Sequence, residues 1–177
     1  MKDTDTLYDT IPSPVGPLLL TATDDGLTRV YFERHRHMDA IDPAWRAVGE
    51  VPGVAAAGIL AAARAQLEAY FARRLTAFAL PLAARGTAFQ QAVWAALREI
   101  PHGHTTSYGA LAAKLGDPKA TRAVASANAH NPLSIVVPCH RVIGADGALT
   151  GFGGGLERKR WLLEHEGALD IGLGLFS

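Results

Sequence analysis

The chain has 177 residues, 49% hydrophobic and 19% charged, with 17 basic and 17 acidic side chains that cancel; this excludes wholesale disorder and any strong overall field drawing in DNA or membrane. A single cysteine excludes an internal disulfide framework and a multi-cysteine zinc site. No apolar run nears the roughly 18 residues of a bilayer span, and Met1-Lys2-Asp3-Thr4-Asp5 does not resemble a secretory leader, so a soluble cytoplasmic protein is expected.

In chain order, Pro17 to Thr23 and Leu27 to Phe32 predict a hairpin around Asp24-Asp25-Gly26. Glu33 to His37 breaks the pattern as a charged loop. Val54 to Arg74 is helical, with Ile59, Leu60, Ala63, Leu67, Tyr70 and Phe71 on one face. Phe78 to Leu82 is a candidate short strand, and a small α/β domain, residues 1–85, ends at Arg85. Residues 86–177 form a second, mainly helical domain, making the fold class α+β. In it, Thr87 and Gln90 predict a capping box for a helix whose Phe89, Val93 and Leu97 face inward. Thr106 or Ser107 caps a second helix through Leu115, which ends at Gly116. Asp117 caps a third, with Pro118 at its first helical position, running to Ala129. Leu133 to Val137 is a short apolar run, Gly151 to Gly155 a flexible loop, and Leu156 to Glu166 a final amphipathic helix.

Two short helices separated by Gly116-Asp117 fit a helix-turn-helix as well as an ordinary helical hairpin. Charge is weakly informative: four basic residues against one Asp lie between Lys114 and Arg141. The third helix carries Ala120, Thr121, Arg122, Ala123, Ala125, Ser126 and Ala127. Major-groove readers use long side chains to reach base edges. Small residues around one Arg suit close approach to a narrow groove, or to another helix.

Cys139 sits in Ile135-Val136-Val137-Pro138-Cys139-His140-Arg141-Val142. Two readings fit: a small buried hydrophobe, which is inert, or a thiol activated by His140 and Arg141. Cys139 and His140 cooperate only if the chain turns between them or a water bridges them, because neighbours on a strand point apart. Among the histidines, His35 with His37 and His102 with His104 are spaced two apart in polar loops, without cysteine or suitably spaced carboxylate, so no metal is expected. Gly151 to Gly155 is not a phosphate loop, since no Lys-Ser/Thr follows.

The run Pro138 to Val142, with Asn131-Pro132 before it and Gly151-Phe152-Gly153-Gly154-Gly155-Leu156 after it, closely resembles the O6-alkylguanine-DNA alkyltransferases. So do Thr106-Ser107-Tyr108, Pro118 to Val124, and Trp161-Leu162-Leu163-Glu164-His165-Glu166-Gly167. The resemblance is dense from Phe89 to Gly167 and thin before residue 84. It implies a ribonuclease-H-like N-terminal domain with a small antiparallel sheet and a winged-helix-like C-terminal domain. It further implies single-turnover transfer of an alkyl group from O6-alkylguanine, with O4-alkylthymine as a second lesion of the same kind, in double-stranded DNA, after rotation of the base out of the duplex. In that scheme Cys139 is nucleophile and alkyl acceptor, His140 the base acting through a water, and Glu166 its orienting partner. Asn131 holds the cysteine turn; Tyr108 lies by the target phosphate and base and protonates the leaving guanine. Arg122 fills the space left by the base, while Ala120, Thr121 and Ala123 let the helix sit in the minor groove. Val142 and Gly153 offer backbone groups to the guanine, and Phe152 packs on the pocket wall. No cofactor, membrane or obligate protein partner is implied, and the expected state is a monomer.

Overall fold

The computed structural model describes residues 5–36 and 40–169. His37, the second member of one histidine pair, lies outside the described residues. The chain divides into two compact units, Met1–Arg85 with Pro132–Val136, and Gly86–Asn131 with Val137–Ser177.

In the first unit, β1 (Leu7–Ile11), β2 (Leu18–Thr23), β3 (Gly26–Phe32) and β4 (Arg46–Ala47) form a sheet in the order β3-β2-β1-β4. β2 pairs antiparallel with both β1 and β3, whereas the two-residue β4 runs parallel to β1. The hairpin β2-β3 follows the expected pattern, and Gly26 is required at its turn. Its φ is +155°, and a Cβ there would meet the Pro81 carbonyl oxygen at 2.8 Å. Helix α1 (Ala55–Phe71) buries Ala56, Leu60, Ala63, Leu67 and Tyr70, leaving Ile59 and Phe71 half-buried at the edges of the expected face. Its own Val54 offers no cap; instead Asp24, in the hairpin turn, accepts from the Ala56 N–H at 2.9 Å. That satisfies one of the N-terminal donors a helix leaves unpaired.

Phe78 to Leu82 is not a regular strand. Only a single parallel bridge forms, with Leu27 accepting from the Ala83 N–H and donating to the Pro81 carbonyl, both at 2.8 Å. The other short segment, Pro132–Val136, adds a similar bridge, the Val30 N–H donating to the Pro132 carbonyl at 2.8 Å. Within it Ile135 has φ +73° and is 1% exposed. A β-branched residue in the left-handed region is strained by about 1–3 kcal/mol, and burial of its side chain offsets that cost.

In the second unit, α2 (Ala88–Leu97) opens with the expected capping box. The Gln90 N–H donates to Thr87 Oγ1 at 3.1 Å, and the Thr87 N–H to Gln90 Oε1 at 2.9 Å. Val93 and Leu97 are buried as expected, but Phe89 is 40% exposed and Trp94 takes the inward position. The Trp94 ring lies where a side chain on Gly86 would sit, and its Nε1–H donates to the Ala127 carbonyl at 2.9 Å. An indole that large satisfies both packing and its polar handle there, so the smaller ring at Phe89 is left outside.

The two-residue strand β5 (Thr106–Ser107) leads into α3 (Tyr108–Lys114), capped by Ser107, which accepts from the Ala110 N–H at 3.1 Å. Gly116 then turns the chain at φ +90°. Helix α4 (Thr121–Ala129) begins three residues later than the sequence suggested. Asp117 does not cap it; its Oδ1 accepts from the Lys119 N–H at 3.0 Å, and its carbonyl accepts from the Ala120 N–H at 3.0 Å. The Asp side chain thus closes a local turn that competes with helix, with Pro118 inside it. After a 3₁₀ turn at Cys139–Arg141, β6 (Val142–Ile143) pairs parallel with β5, and α5 (Leu156–His165) closes the unit. No helix among the described residues is long and apolar enough to cross a membrane.

Candidate active site

The apolar run before Pro138 is turn rather than strand, with Ile135 at φ +73°, and after Pro138 (φ −82°, ψ +64°) the chain winds through one 3₁₀ turn. That turn removes the obstacle posed by a strand, in which Cys139 and His140 would point to opposite faces. Two asparagines at the end of α4 hold it. Asn131 Nδ2 donates to the Val137 carbonyl at 2.8 Å, and Asn128 Nδ2 to the Cys139 carbonyl at 3.4 Å. Both are 2% exposed, so each amide replaces hydrogen bonds that water would otherwise give the turn. Asn128 was not singled out from the sequence. Its only signal was the spacing Asn128–Asn131, three residues apart, which places both side chains on one side of the chain end.

His140 and Glu166 have fully buried side chains, with His140 Nε2 and Glu166 Oε1 at 2.7 Å. Arg141, expected from the sequence only as a cationic neighbour of the thiol, completes this cluster. Its Nε donates to Glu166 Oε2 at 2.8 Å and its Nη2 to Oε1 at 3.0 Å, while Nη1 donates to the Ile100 carbonyl at 2.6 Å. Burial alone would raise the Glu166 carboxyl, but the hydrogen bonds and charges of His140 and Arg141 hold it well below the usual carboxylate range. Glu166 is therefore an ion. Being an acceptor only, it fixes the His140 proton on Nε2 and leaves Nδ1 as a bare acceptor. Nδ1 is buried and has no hydrogen-bond partner among the described residues. Burial pushes the His140 pKa down, against the pull of Glu166, so the imidazole rests neutral and able to accept a proton.

Cys139 is 4% exposed. Burial pushes its thiol pKa up, while the Asn131 side chain and the Lys159 ammonium pull it down. The resting group is thus a thiol with a basic neighbour rather than a preformed thiolate. Lys159 is a further residue the sequence did not flag. Within Leu-Glu-Arg-Lys-Arg it reads as one of several solvated charges, yet it is 0% exposed. Its ammonium donates to the Val142 carbonyl at 2.5 Å and to the Thr150 carbonyl at 2.7 Å. Of the Val142 backbone groups expected to face guanine, the carbonyl already accepts from Lys159.

Tyr108, at the start of α3, is half-buried, and its hydroxyl donates to the Thr150 carbonyl at 2.9 Å. Phe152 is buried and Gly153 half-buried on the following loop. Gly151 has φ +56°, and a Cβ there would sit 3.4 Å from the Tyr108 hydroxyl, so this glycine keeps the loop close to the ring. On α4, Arg122 and Ala123 are exposed, and Ala120 and Thr121 half-exposed. Arg122 makes no hydrogen bond or ion pair among the described residues. Of the histidines, His35 stacks on Tyr31 and Phe32, and His104 Nδ1 lies 3.2 Å from the His102 carbonyl oxygen.

Comparison with known proteins covers both units. Residues 6–84 match the ribonuclease-like domain, and residues 88–168 the DNA binding domain, of the family described as 6-O-methylguanine DNA methyltransferase. A Methanosarcina acetivorans protein named methylated-DNA–protein-cysteine methyltransferase is 45% identical over 161 residues, spanning 91% of this chain and 98% of that one. A Mycobacterium tuberculosis protein of the same name is 49% identical over 164 residues, covering 90% of this chain and 91% of its own. The crystal structure of M. tuberculosis OGT in complex with DNA superposes with a TM-score of 0.80 at 48% identity, over 92% of this chain and 93% of that one.

Proposed function

This chain belongs to the 6-O-methylguanine DNA methyltransferase family, and from that premise we propose that it repairs DNA by moving the alkyl group of an O6-alkylguanine onto its own Cys139. It acts in the cytoplasm on double-stranded DNA, as a monomer, without metal or cofactor. The observation that carries this reading is the buried pair of His140 and Glu166 beside the cysteine turn, with Nδ1 of the imidazole unengaged.

The chemistry follows from those groups. His140 Nδ1 takes the Cys139 proton through one water, and the imidazolium so formed is stabilised by the fixed Glu166 carboxylate. The thiolate attacks the alkyl carbon in line; the carbon–oxygen bond breaks, and its electron pair passes to the guanine ring. Tyr108 gives that ring a proton. The product is a thioether, which water does not cleave, so one chain acts once. Asn131 holds the cysteine turn in place, and Phe152 and Gly153 line the pocket, with the Val142 backbone beside them. Arg122 enters the duplex to replace the rotated base. Ala120, Thr121 and Ala123 keep that face of α4 low enough for a narrow groove.

Intact-protein mass after incubation with excess duplex DNA carrying one O6-methylguanine tests the reading. The expected result is a gain of one methyl group, saturating at one per chain and mapping to Cys139. Binding of the lesion without a mass gain would replace repair by recognition alone, and turnover beyond one methyl per chain would overturn the suicide mechanism.

A further inference from the structure

A lysine that is wholly buried normally sits beside a carboxylate, because an uncompensated charge is expensive to desolvate. Lys159 is 0% exposed and has no carboxylate partner among the described residues. Among the described residues its nitrogen donates to the Val142 and Thr150 carbonyls and, at 3.5 Å, to the Tyr108 hydroxyl. The ammonium also lies 5.8 Å from the centre of the Tyr108 ring. Two carbonyl dipoles orient a cation but do not neutralise it. A buried charge kept without a counter-ion points to a negative charge that appears only during the reaction.

Two transient anions form nearby in the proposed chemistry, the Cys139 thiolate and the Tyr108 phenolate. The thiolate is consumed by the alkyl carbon. The phenolate is left behind when Tyr108 protonates guanine, and it is the group Lys159 already touches. The hydrogen bonds are ordered for this: Lys159 donates to the Tyr108 oxygen, and Tyr108 in turn donates onward, at present to the Thr150 carbonyl.

We propose that Lys159 is a positioning residue for Tyr108, aiming its hydroxyl and replacing its proton as that proton passes to the departing guanine. The inference rests on the functional reading above and deepens it. The balance closes. The thiol proton goes to His140, the Tyr108 proton to the guanine ring, and a Lys159 proton to the phenolate, leaving a neutral amine. His140 returns one proton to solvent and Lys159 takes one back.

The charged groups around Lys159 set the pH behaviour. Facing it are the Tyr108 hydroxyl from α3 and the Cys139 thiol and His140 imidazole from the cysteine turn; on its own helix, Arg158 is turned to the Gly154 carbonyl. Burial brings the Lys159 ammonium down to about 8, opposed by Cys139. The protonated form is the useful one, so its share is full below that value and is lost as pH rises through it.

The test is single-turnover methyl transfer from duplex O6-methylguanine DNA, measured against pH for the wild type, Lys159→Met, Tyr108→Phe and the double variant. Lys159→Met is expected to slow transfer about 100-fold, the lower end of proton-transfer catalysis. The same change on a Tyr108→Phe background should cost less than about threefold, because groups acting as a unit are not additive. The wild-type rate should fall above pH 8, and that fall should be absent in both single variants. Losses that multiply in the double variant, or an alkaline fall that persists without Tyr108, would overturn the proposal. Should Lys159→Met fail to fold, the Tyr108→Phe profile alone decides it. A wild type that transfers no methyl group would instead overturn the functional reading from which the inference starts.

Discussion

His140 and Glu166 have wholly buried side chains joined at 2.7 Å, with Arg141 holding both carboxylate oxygens, whereas Arg122 on α4 stands exposed and makes no hydrogen bond or ion pair among the described residues. The first region has every strong hydrogen bond but one already made; the second has made none. The difference separates chemistry from recognition. A relay has to be rigid before the substrate arrives, since reorganising it at the moment of reaction would raise the barrier. An inserted side chain has to be unattached, since any partner in the free protein would have to be given up on DNA.

Three substitutions break or sharpen this contrast. The largest effect belongs to Cys139→Ala, which should abolish the mass gain while leaving the lesion bound; any methyl transfer by this variant rules out Cys139 as acceptor. Next is Glu166→Gln, which removes the charge that stabilises imidazolium, and transfer should slow on the order of 100-fold. It also leaves Arg141 buried without a counter-ion, at about 3–5 kcal/mol of stability. Acid unfolding checks the same carboxylate independently. Glu166 titrates lower in the folded chain than its unfolded value of about 4.3, so its contribution is full above that pH and is lost as pH falls below it. The variant should lack this loss, and an unchanged acid profile would mean that Glu166 is not ionised in the fold. The smallest effect is that of Arg122→Ala. Replacing a flipped base is a matter of roughly 1–3 kcal/mol of stacking, or about 5- to 150-fold in rate. Repair of duplex DNA should slow by that factor, while reaction with the free O6-alkylguanine base stays unchanged. Equal losses on the two substrates would mean that Arg122 does not act in the duplex.

The same contrast marks what could be read from the chain alone. Local chemistry was legible: the hairpin around Gly26, the capping box at Thr87 and the Ser107 cap follow from neighbouring residues. β1 was overlooked because Leu7-Tyr8-Asp9-Thr10-Ile11 mixes polar with apolar residues, and β4 is two residues long, existing only through its pairing with β1. The start of α4 was misplaced because an Asp before a Pro can cap a helix or close a turn, and only the fold chooses. The motif residues around Cys139 emerged through family resemblance; spacing by itself left the thiol as plausibly inert as reactive. Arg141 was legible only as a neighbour of the thiol, and Lys159 escaped for a physical reason. Composition treats a charged side chain as solvated, and nothing local to Arg-Lys-Arg tells the middle residue that it will be sealed from water while its neighbours are not.

Ile135 and its neighbours carry one more consequence. Pro132–Val136 belongs to the first unit, although the chain on either side of it belongs to the second. The units are therefore interleaved along the polypeptide rather than strung in sequence. Cutting the chain after Arg85 yields no intact half: the N-terminal piece leaves the Val30 amide without its acceptor, and the C-terminal piece keeps an apolar pentapeptide whose packing partners have gone. For this architecture the unit of folding is the whole chain, with the strained Ile135 as the stitch between α4 and the cysteine turn.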